Sequence, residues 1–208
     1  MICNKCPRLC QFIQKNKELY PDFFNAPVPN FGDTNGRLLV VGLAPGLKGA
    51  NRTGRPFTGD YAGIILYETL LKFGWASGVY QQRKDDSLQL KNALITNAVG
   101  CVPPENKPTP DEINNCNERL KATIQSMKNL HIILCLGRIS HQSVLKAFGL
   151  KQSAFPFAHG NVHRLTDDVY LVDSYHCSRY NINTRQLTQE MFDAIFEKIG
   201  SINKGFFS

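Results

Sequence analysis

The sequence holds no apolar run long enough to span a bilayer. It shows no internal repeat and no low-complexity tract. Its start, Met1-Ile-Cys-Asn-Lys-Cys6, lacks the apolar region of a signal peptide, so the expected location is the cytosol, or the nucleoid if DNA is the partner. No membrane association is expected. A G-x-G-x-x-G fingerprint is missing. The nearest approach to a phosphate loop, Gly49 to Pro56, has Arg55 in place of the lysine and Pro56 in place of the magnesium-binding Ser/Thr. Acidic residues are also in short supply, 17 against 24 lysines and arginines, which leaves a net charge of +7. That balance favours a polyanionic partner such as nucleic acid. The 208 residues, 42% hydrophobic and 20% charged, suit one globular domain over 1–208 with a full core.

What is present is concentrated in the run from Gly42 to Asp60, GLAPGLKGANRTGRPFTGD. It joins an apolar segment at 37–42, read as a buried strand, to an apolar-periodic segment at 61–73, read as a helix. Five glycines let backbone approach a ligand closely, because no Cβ intervenes. Phe57 adds a flat apolar wall and Asp60 a single carboxylate. An ordinary glycine-rich connection is the bland alternative, but two prolines and an embedded Phe are unusual in a flexible linker.

Strand candidates at 37–42, 93–99, 131–136 and 169–174 alternate with helix candidates at 61–73, 110–128, 139–148 and 187–199. Thr109 stands where it can cap the helix that begins Pro110-Asp-Glu. This alternation predicts an α/β fold with a central four-stranded parallel sheet covered by helices on both faces. Residues 1–36 read as a cysteine-bearing segment with a turn-rich end. The first, second and fourth strands each run into a polar or cysteine-bearing cluster, at 42–60, 96–106 and 174–183. In open parallel sheets the ligand crevice lies outside the carboxyl ends of the strands, so the three clusters are expected to converge.

Seven cysteines are many for a cytosolic chain, where metal or cluster ligation is favoured over disulfides. Cys3 and Cys6 form a C-x2-C pair, and Cys101 and Cys116 are separated by fourteen residues. Four thiolates suit either an iron–sulfur cluster or tetrahedral zinc, and spacing does not choose. Cys10, one turn beyond Cys6, competes for a ligand position. Cys135 lies within a strand and reads as a small hydrophobe.

Taken together these motifs resemble the uracil-DNA glycosylase superfamily, and within it the iron–sulfur-containing family 5, or type b. Its first motif is similar to Gly42-Leu43-Ala44-Pro45-Gly46 continuing to Phe57-Thr-Gly59-Asp60. The second resembles Thr96-Asn97-Ala98-Val99 with Cys101 to Pro110. The third resembles His176-x-Ser178 with Asn181-Ile-Asn183-Thr184. The N-terminal Cys3-Asn-Lys-Cys6-Pro-Arg-Leu9 also fits. Type a enzymes carry an acid after the first glycine; here that place is Leu43, and Asp60 supplies the carboxylate. Three positions depart from the pattern. Cys177 replaces the usual proline, which leaves the stiffness of the DNA-inserting loop open. Gly100 replaces an arginine, and Asn97 a small apolar residue.

The resemblance implies a monofunctional glycosylase in base-excision repair, expected to act as a monomer. Its partner would be DNA containing uracil or other deaminated bases, such as hypoxanthine or xanthine. Extraction of the base from the duplex precedes cleavage. Phe57 would stack on the base, unless it is simply a core phenylalanine. Asp60 would orient water and stabilise the sugar cation, while also able to cap the next helix. Asn106 would hold the water or the sugar. His176, neutral, would donate to the O2 oxygen of the leaving base, its alternative being a structural histidine. Gly42, Leu43 and Ala44 would approach the base, and Asn97 would read the uracil edge. Ser178, Arg179 and Asn181 would face DNA. A structural [4Fe–4S] cluster on Cys3, Cys6, Cys101 and Cys116 is implied, with no catalytic metal. The alternatives are a non-catalytic, cluster-containing nucleic-acid-binding protein and a redox protein.

Overall fold

The computed structural model describes residues 3–204; the predicted domain of 1–208 extends at both ends outside the described residues. In chain order the elements are α1 (Pro7–Leu19), β1 (Phe31–Gly32), β2 (Leu38–Gly42), α2 (Ala50–Thr53), α3 (Tyr61–Lys72), β3 (Ala76–Ser77), β4 (Gln89–Leu90), β5 (Ala93–Asn97), α4 (Pro110–Ser126), β6 (Ile132–Leu136), α5 (Arg138–Ala147), β7 (Val162–Arg164), β8 (Tyr170–Ser174), α6 (Arg179–Asn183) and α7 (Gln189–Lys204). Short 3₁₀ turns lie at Pro104–Asn106 and Gln152–Ala154.

The main sheet has six strands, not the four expected, in the order β1-β5-β2-β6-β8-β7. The four predicted strands form its parallel centre. Short antiparallel strands β1 and β7 add one to each edge. The central strands were legible because they are buried on both faces and read as unbroken apolar runs. The edge strands are two or three residues long and partly exposed, which gives no such run.

Side chains on β2 alternate between two cores. Leu38 and Val40 join Leu66, Leu70, Phe192 and Phe196 of α3 and α7 on one face. Leu39 and Val41 join Leu120, Val144 and Leu145 of α4 and α5 on the other. Each such fully buried side chain contributes about 1.5–3 kcal/mol of transfer free energy. These layers fix the sheet, and therefore the edge at which its C-terminal loops open.

Within the cysteine-bearing N-terminal segment, residues 3–36 hold a helix, α1, that was not among the predicted helices. Pro7 starts α1, and Leu9 and Ile13 face inward. The helix docks on α4 through Arg8, whose guanidinium donates to both Glu112 oxygens at 2.8 and 2.7 Å. Glu112 also completes a reciprocal capping box with Thr109. The cap predicted from sequence thus doubles as the docking point for the N-terminal helix.

Candidate active site

The loop leaving β2 needs Gly42 for a steric reason. A Cβ there would lie 2.4 Å from Oδ1 of Asn97 and 2.5 Å from Cζ of Phe57. Gly42 and Asn97 are register partners on adjacent parallel strands. The glycine therefore lets the Asn97 amide and the Phe57 ring close on the end of β2. Asn97 is 5% exposed. Arg119 of α4 donates to its backbone carbonyl at 3.4 Å.

Phe57 has a left-handed backbone, φ +52°, which is uncommon for a bulky residue. Its ring lies near-parallel to His176, with centroids 6.0 Å apart and planes at 27°. Asp60 ends the loop as the N-cap of α3, and its Oδ1 accepts the Gly63 N–H at 3.1 Å. The other oxygen, Oδ2, turns toward the glycine loop. A Cβ on Gly49 would stand 2.4 Å from it, and one on Gly46 would stand 3.6 Å from it and 3.8 Å from Oδ1 of Asn106. One oxygen caps the helix, as predicted, while the second is presented to the cavity.

The three C-terminal clusters meet in a cavity of about 610 Å³. Leu43, Ala44, Phe57, Asp60, Asn97, Asn106, His176, Ser178 and Arg179 all line it. Gly42 lies behind the wall, under Asn97 and Phe57. Asn106 reaches the cavity from a tight turn in which it and Glu105 both take positive φ, +58° and +53°. Burial raises the Asp60 carboxyl above its ordinary value, an effect partly offset by the backbone N–H groups of Gly63 and Ala62. Burial alone holds His176 at about 4, so its imidazole is neutral at physiological pH. The site thus combines a carboxylate on one side with a neutral N–H donor on the other.

The third loop begins at the end of β8. Asn181 does not line the cavity; its amide donates to the His176 carbonyl at 2.8 Å and its backbone N–H to Ser178 Oγ at 3.3 Å. It shapes the loop that carries both residues. Ser178 is the N-cap of α6 and keeps its own hydroxyl proton for donation. Arg179 lies over the Tyr61 ring at 5.2 Å. Cys177, at the usual proline's place, is fully buried, with its sulfur 3.5 Å from the Ala62 carbonyl. The loop is anchored to α3 through that contact.

Sequence reasoning overlooked several neighbours. Leu47, Lys48 and Tyr61 also line the cavity, with Lys48 at its exposed rim. Tyr180, beside Arg179, is 75% exposed, unusual for an aromatic side chain. Arg119 fills the space next to Gly100, where a Cβ would meet its guanidinium at 3.3 Å. Each lay inside or near a quoted motif, but its orientation has no sequence signature.

Cys3, Cys6, Cys101 and Cys116 line a second, small cavity, together with Cys10. The Cys10 sulfur lies 3.3 Å from the Cys3 carbonyl. Among the described residues the set of ligand atoms drawn within 4.8 Å of one another is a different one, His141, His163 and Asp173. His141 there already meets the Asp173 carboxylate at 2.8 Å and the Phe155 carbonyl at 2.9 Å. Two donors in the thiol cavity are aimed at sulfur. The Gly100 N–H points at the Cys116 sulfur at 3.3 Å and the Asn115 amide at the Cys6 sulfur at 3.7 Å. Such donors suit thiolates bound to metal. Burial, with the neighbouring Cys116, Cys3, Cys10 and Cys6, pushes the Cys101 thiol up to about 12. A bound cation would offset that accumulation of charge. Cys135 is buried in β6, as expected of a small hydrophobe.

Comparison with known proteins matches residues 29–200 to the profile of the Uracil DNA glycosylase superfamily. The chain is 42% identical over 195 residues to a type-5 uracil-DNA glycosylase of Thermus thermophilus, covering 91% of this chain and 89% of that protein. A type-5 uracil-DNA glycosylase of Pyrobaculum aerophilum is 36% identical over 200 residues, covering 94% and 87%. A type-4 uracil-DNA glycosylase of Archaeoglobus fulgidus is 29% identical over 206 residues, covering 97% and 88%.

Proposed function

This chain belongs to the uracil-DNA glycosylase superfamily, in its type-5 branch, and from that premise we propose how its cavity works. It is a DNA glycosylase, a hydrolase that releases uracil in base-excision repair. Breaking the C1′–N bond leaves positive charge on the sugar and negative charge on the base, and both ends need stabilisation.

The observation that carries our assignment of roles is the division of the cavity. Asp60 Oδ2 and Asn106 stand together over Gly46, while the Phe57 and His176 rings lie near-parallel at 6.0 Å. On this reading the extracted base stacks on Phe57, and His176 donates an N–H to its O2 oxygen as charge develops there. A neutral imidazole keeps one N–H with which to do so. Asp60 Oδ2 faces the sugar, where it stabilises the cation and orients a water shared with Asn106. The buried Asn97 amide reads the base edge. We propose hypoxanthine and xanthine as further substrates, for which the cavity of about 610 Å³ has room.

Ser178 and Arg179 meet the phosphates, with Tyr180 at the same surface. The net charge of +7 supports that contact by counterion release. Among the described residues no helix is long and apolar enough to cross a membrane. Hydrolysis is the whole reaction on this reading, and Lys48 at the rim takes no covalent part. Cys3, Cys6, Cys101 and Cys116 would hold an iron–sulfur cluster that ties α1 to α4 and to the loop after β5, with no step of base release routed through it.

The test is incubation of a defined uracil-containing duplex with the enzyme in the presence of borohydride. The reading expects free uracil, an abasic strand with an unbroken backbone, and no trapped protein–DNA adduct. A borohydride-trapped adduct that disappears in Lys48→Ala would overturn the hydrolytic assignment.

A further inference from the structure

Phe57 is held from behind by Tyr67 and Tyr80, whose hydroxyls meet two successive backbone carbonyls. The Tyr80 hydroxyl donates to the Phe57 carbonyl at 3.1 Å, and the Tyr67 hydroxyl to the preceding Pro56 carbonyl at 2.6 Å. Gly63 leaves the Phe57 carbonyl its space, since a Cβ there would fall 1.7 Å from that oxygen. The left-handed Phe57 backbone is thus fixed through two successive carbonyls. Such a conformation persists only when its surroundings over-determine it.

Behind the tyrosines lies a sealed ion pair. Arg55 donates to both Asp86 oxygens, at 2.7 and 2.8 Å, and to Thr58 Oγ1 at 2.7 Å. Its side chain is 5% exposed and that of Asp86 is 0% exposed. The guanidinium is 5.0 Å from the Phe31 ring centroid, 5.6 Å from Tyr67 and 5.7 Å from Tyr80, which fixes the plane of the tyrosines by cation–π contact. Asp86 also accepts the Gln81 and Leu88 N–H groups, at 2.9 and 3.2 Å, closing the connection between β3 and β4 that carries Tyr80.

We propose that Tyr80 is a positioning residue for base excision: its hydroxyl, set by the Arg55–Asp86 fork, fixes the Phe57 peptide so that the ring lies flat against the extracted base. This rests on the reading that Phe57 stacks the base. Tyr80 touches neither base nor sugar, and acts only through the Phe57 carbonyl.

The test is a double-mutant cycle of Tyr80→Phe and Phe57→Leu, read by single-turnover uracil release and by affinity for a duplex carrying a tetrahydrofuran abasic analogue. Tyr80→Phe should slow release about 5-fold, the worth of one neutral hydrogen bond. Phe57→Leu should slow it about 10–100-fold through lost stacking. The double variant should be no slower than Phe57→Leu alone, because the two act as a unit. Affinity for the analogue, which has no base to stack, should stay unchanged in both. Asp86→Asn should reproduce the pattern with a larger loss. Wild-type release by Phe57→Leu would overturn base stacking and the proposal together. A slow Phe57→Leu beside a wild-type Tyr80→Phe, additive losses, or equal weakening toward the analogue would overturn the positioning role alone.

Discussion

A methyl group on Gly49 would stand 2.4 Å from Oδ2 of Asp60, so the glycine holds open the space that the carboxylate occupies. Gly46, three residues earlier, would place its methyl at 3.6 Å from the same oxygen, an ordinary contact. Gly49→Ala is therefore expected to displace the carboxylate and slow uracil release at least about 10-fold, since catalytic groups misplaced by a fraction of an ångström lose rate steeply. Gly46→Ala should retain most activity. Single-turnover rates of the two variants decide it, and equal losses would mean the glycines serve the backbone rather than Asp60.

Asp60 is expected to trade stability for activity. Its folded-state pKa is raised above the unfolded value, so any stability it contributes is present below the unfolded pKa and is lost as pH rises through the folded one. At neutral pH the buried carboxylate is a net cost. Asp60→Asn keeps an N-cap, because asparagine caps as well as aspartate. The variant should slow base release about 10²–10³-fold while raising Tm at pH 7, by about 2–4 °C for each kcal/mol recovered. A lowered Tm by calorimetry would contradict the net cost assigned to the buried carboxylate.

The acid limb of the pH profile should belong to Asp60 and not to His176. Asp60 must be ionised, and its raised pKa brings the fall in rate above the ordinary carboxylate range. His176 stays neutral until about pH 4. The limb should vanish in Asp60→Asn and survive in His176→Gln. A limb that disappears with His176 instead would reverse the assignment.

Asn97→Ala should act selectively, costing roughly 1–3 kcal/mol on uracil as a lost paired contact does in base readout. Hypoxanthine presents a different edge, and its release should depend less on Asn97. Equal losses on both substrates would make Asn97 a structural group at the end of β5.

Purified anaerobically, the protein should carry about four irons per chain with broad visible absorption. Cys101→Ser should abolish both, and Cys10→Ser should leave both intact. Stoichiometric zinc without iron would overturn the cluster, and iron lost with Cys10 would revise the ligand set.

Much of this was legible in the chain because the decisive signals are local. Unbroken apolar runs marked the four central strands, and Thr109-Pro110 marked a helix start. The cavity residues cluster where those strands end, so one topological rule brings Asp60, Asn97 and His176 together. What was missed depends on contacts between distant segments. Tyr80 reaches Phe57 across 23 residues, and Arg119 reaches Asn97 across 22. Helix α1 buries only Leu9, Ile13 and Asn16, too narrow an apolar stripe to mark it in sequence. Cys177 stands where the resemblance expects proline, and its burial against the Ala62 carbonyl has no sequence signature.

Cleavage of the deoxyuridine glycosidic bond in this cavity should depend on Asp60 as its carboxylate. Release of free uracil from a defined duplex under single-turnover conditions tests it most directly, comparing the native chain with Asp60→Asn. The native chain should give free uracil and an unbroken abasic strand, with Asp60→Asn slower by about 10²–10³-fold. No free uracil from the native protein, or an Asp60→Asn rate equal to the native one, would contradict that dependence.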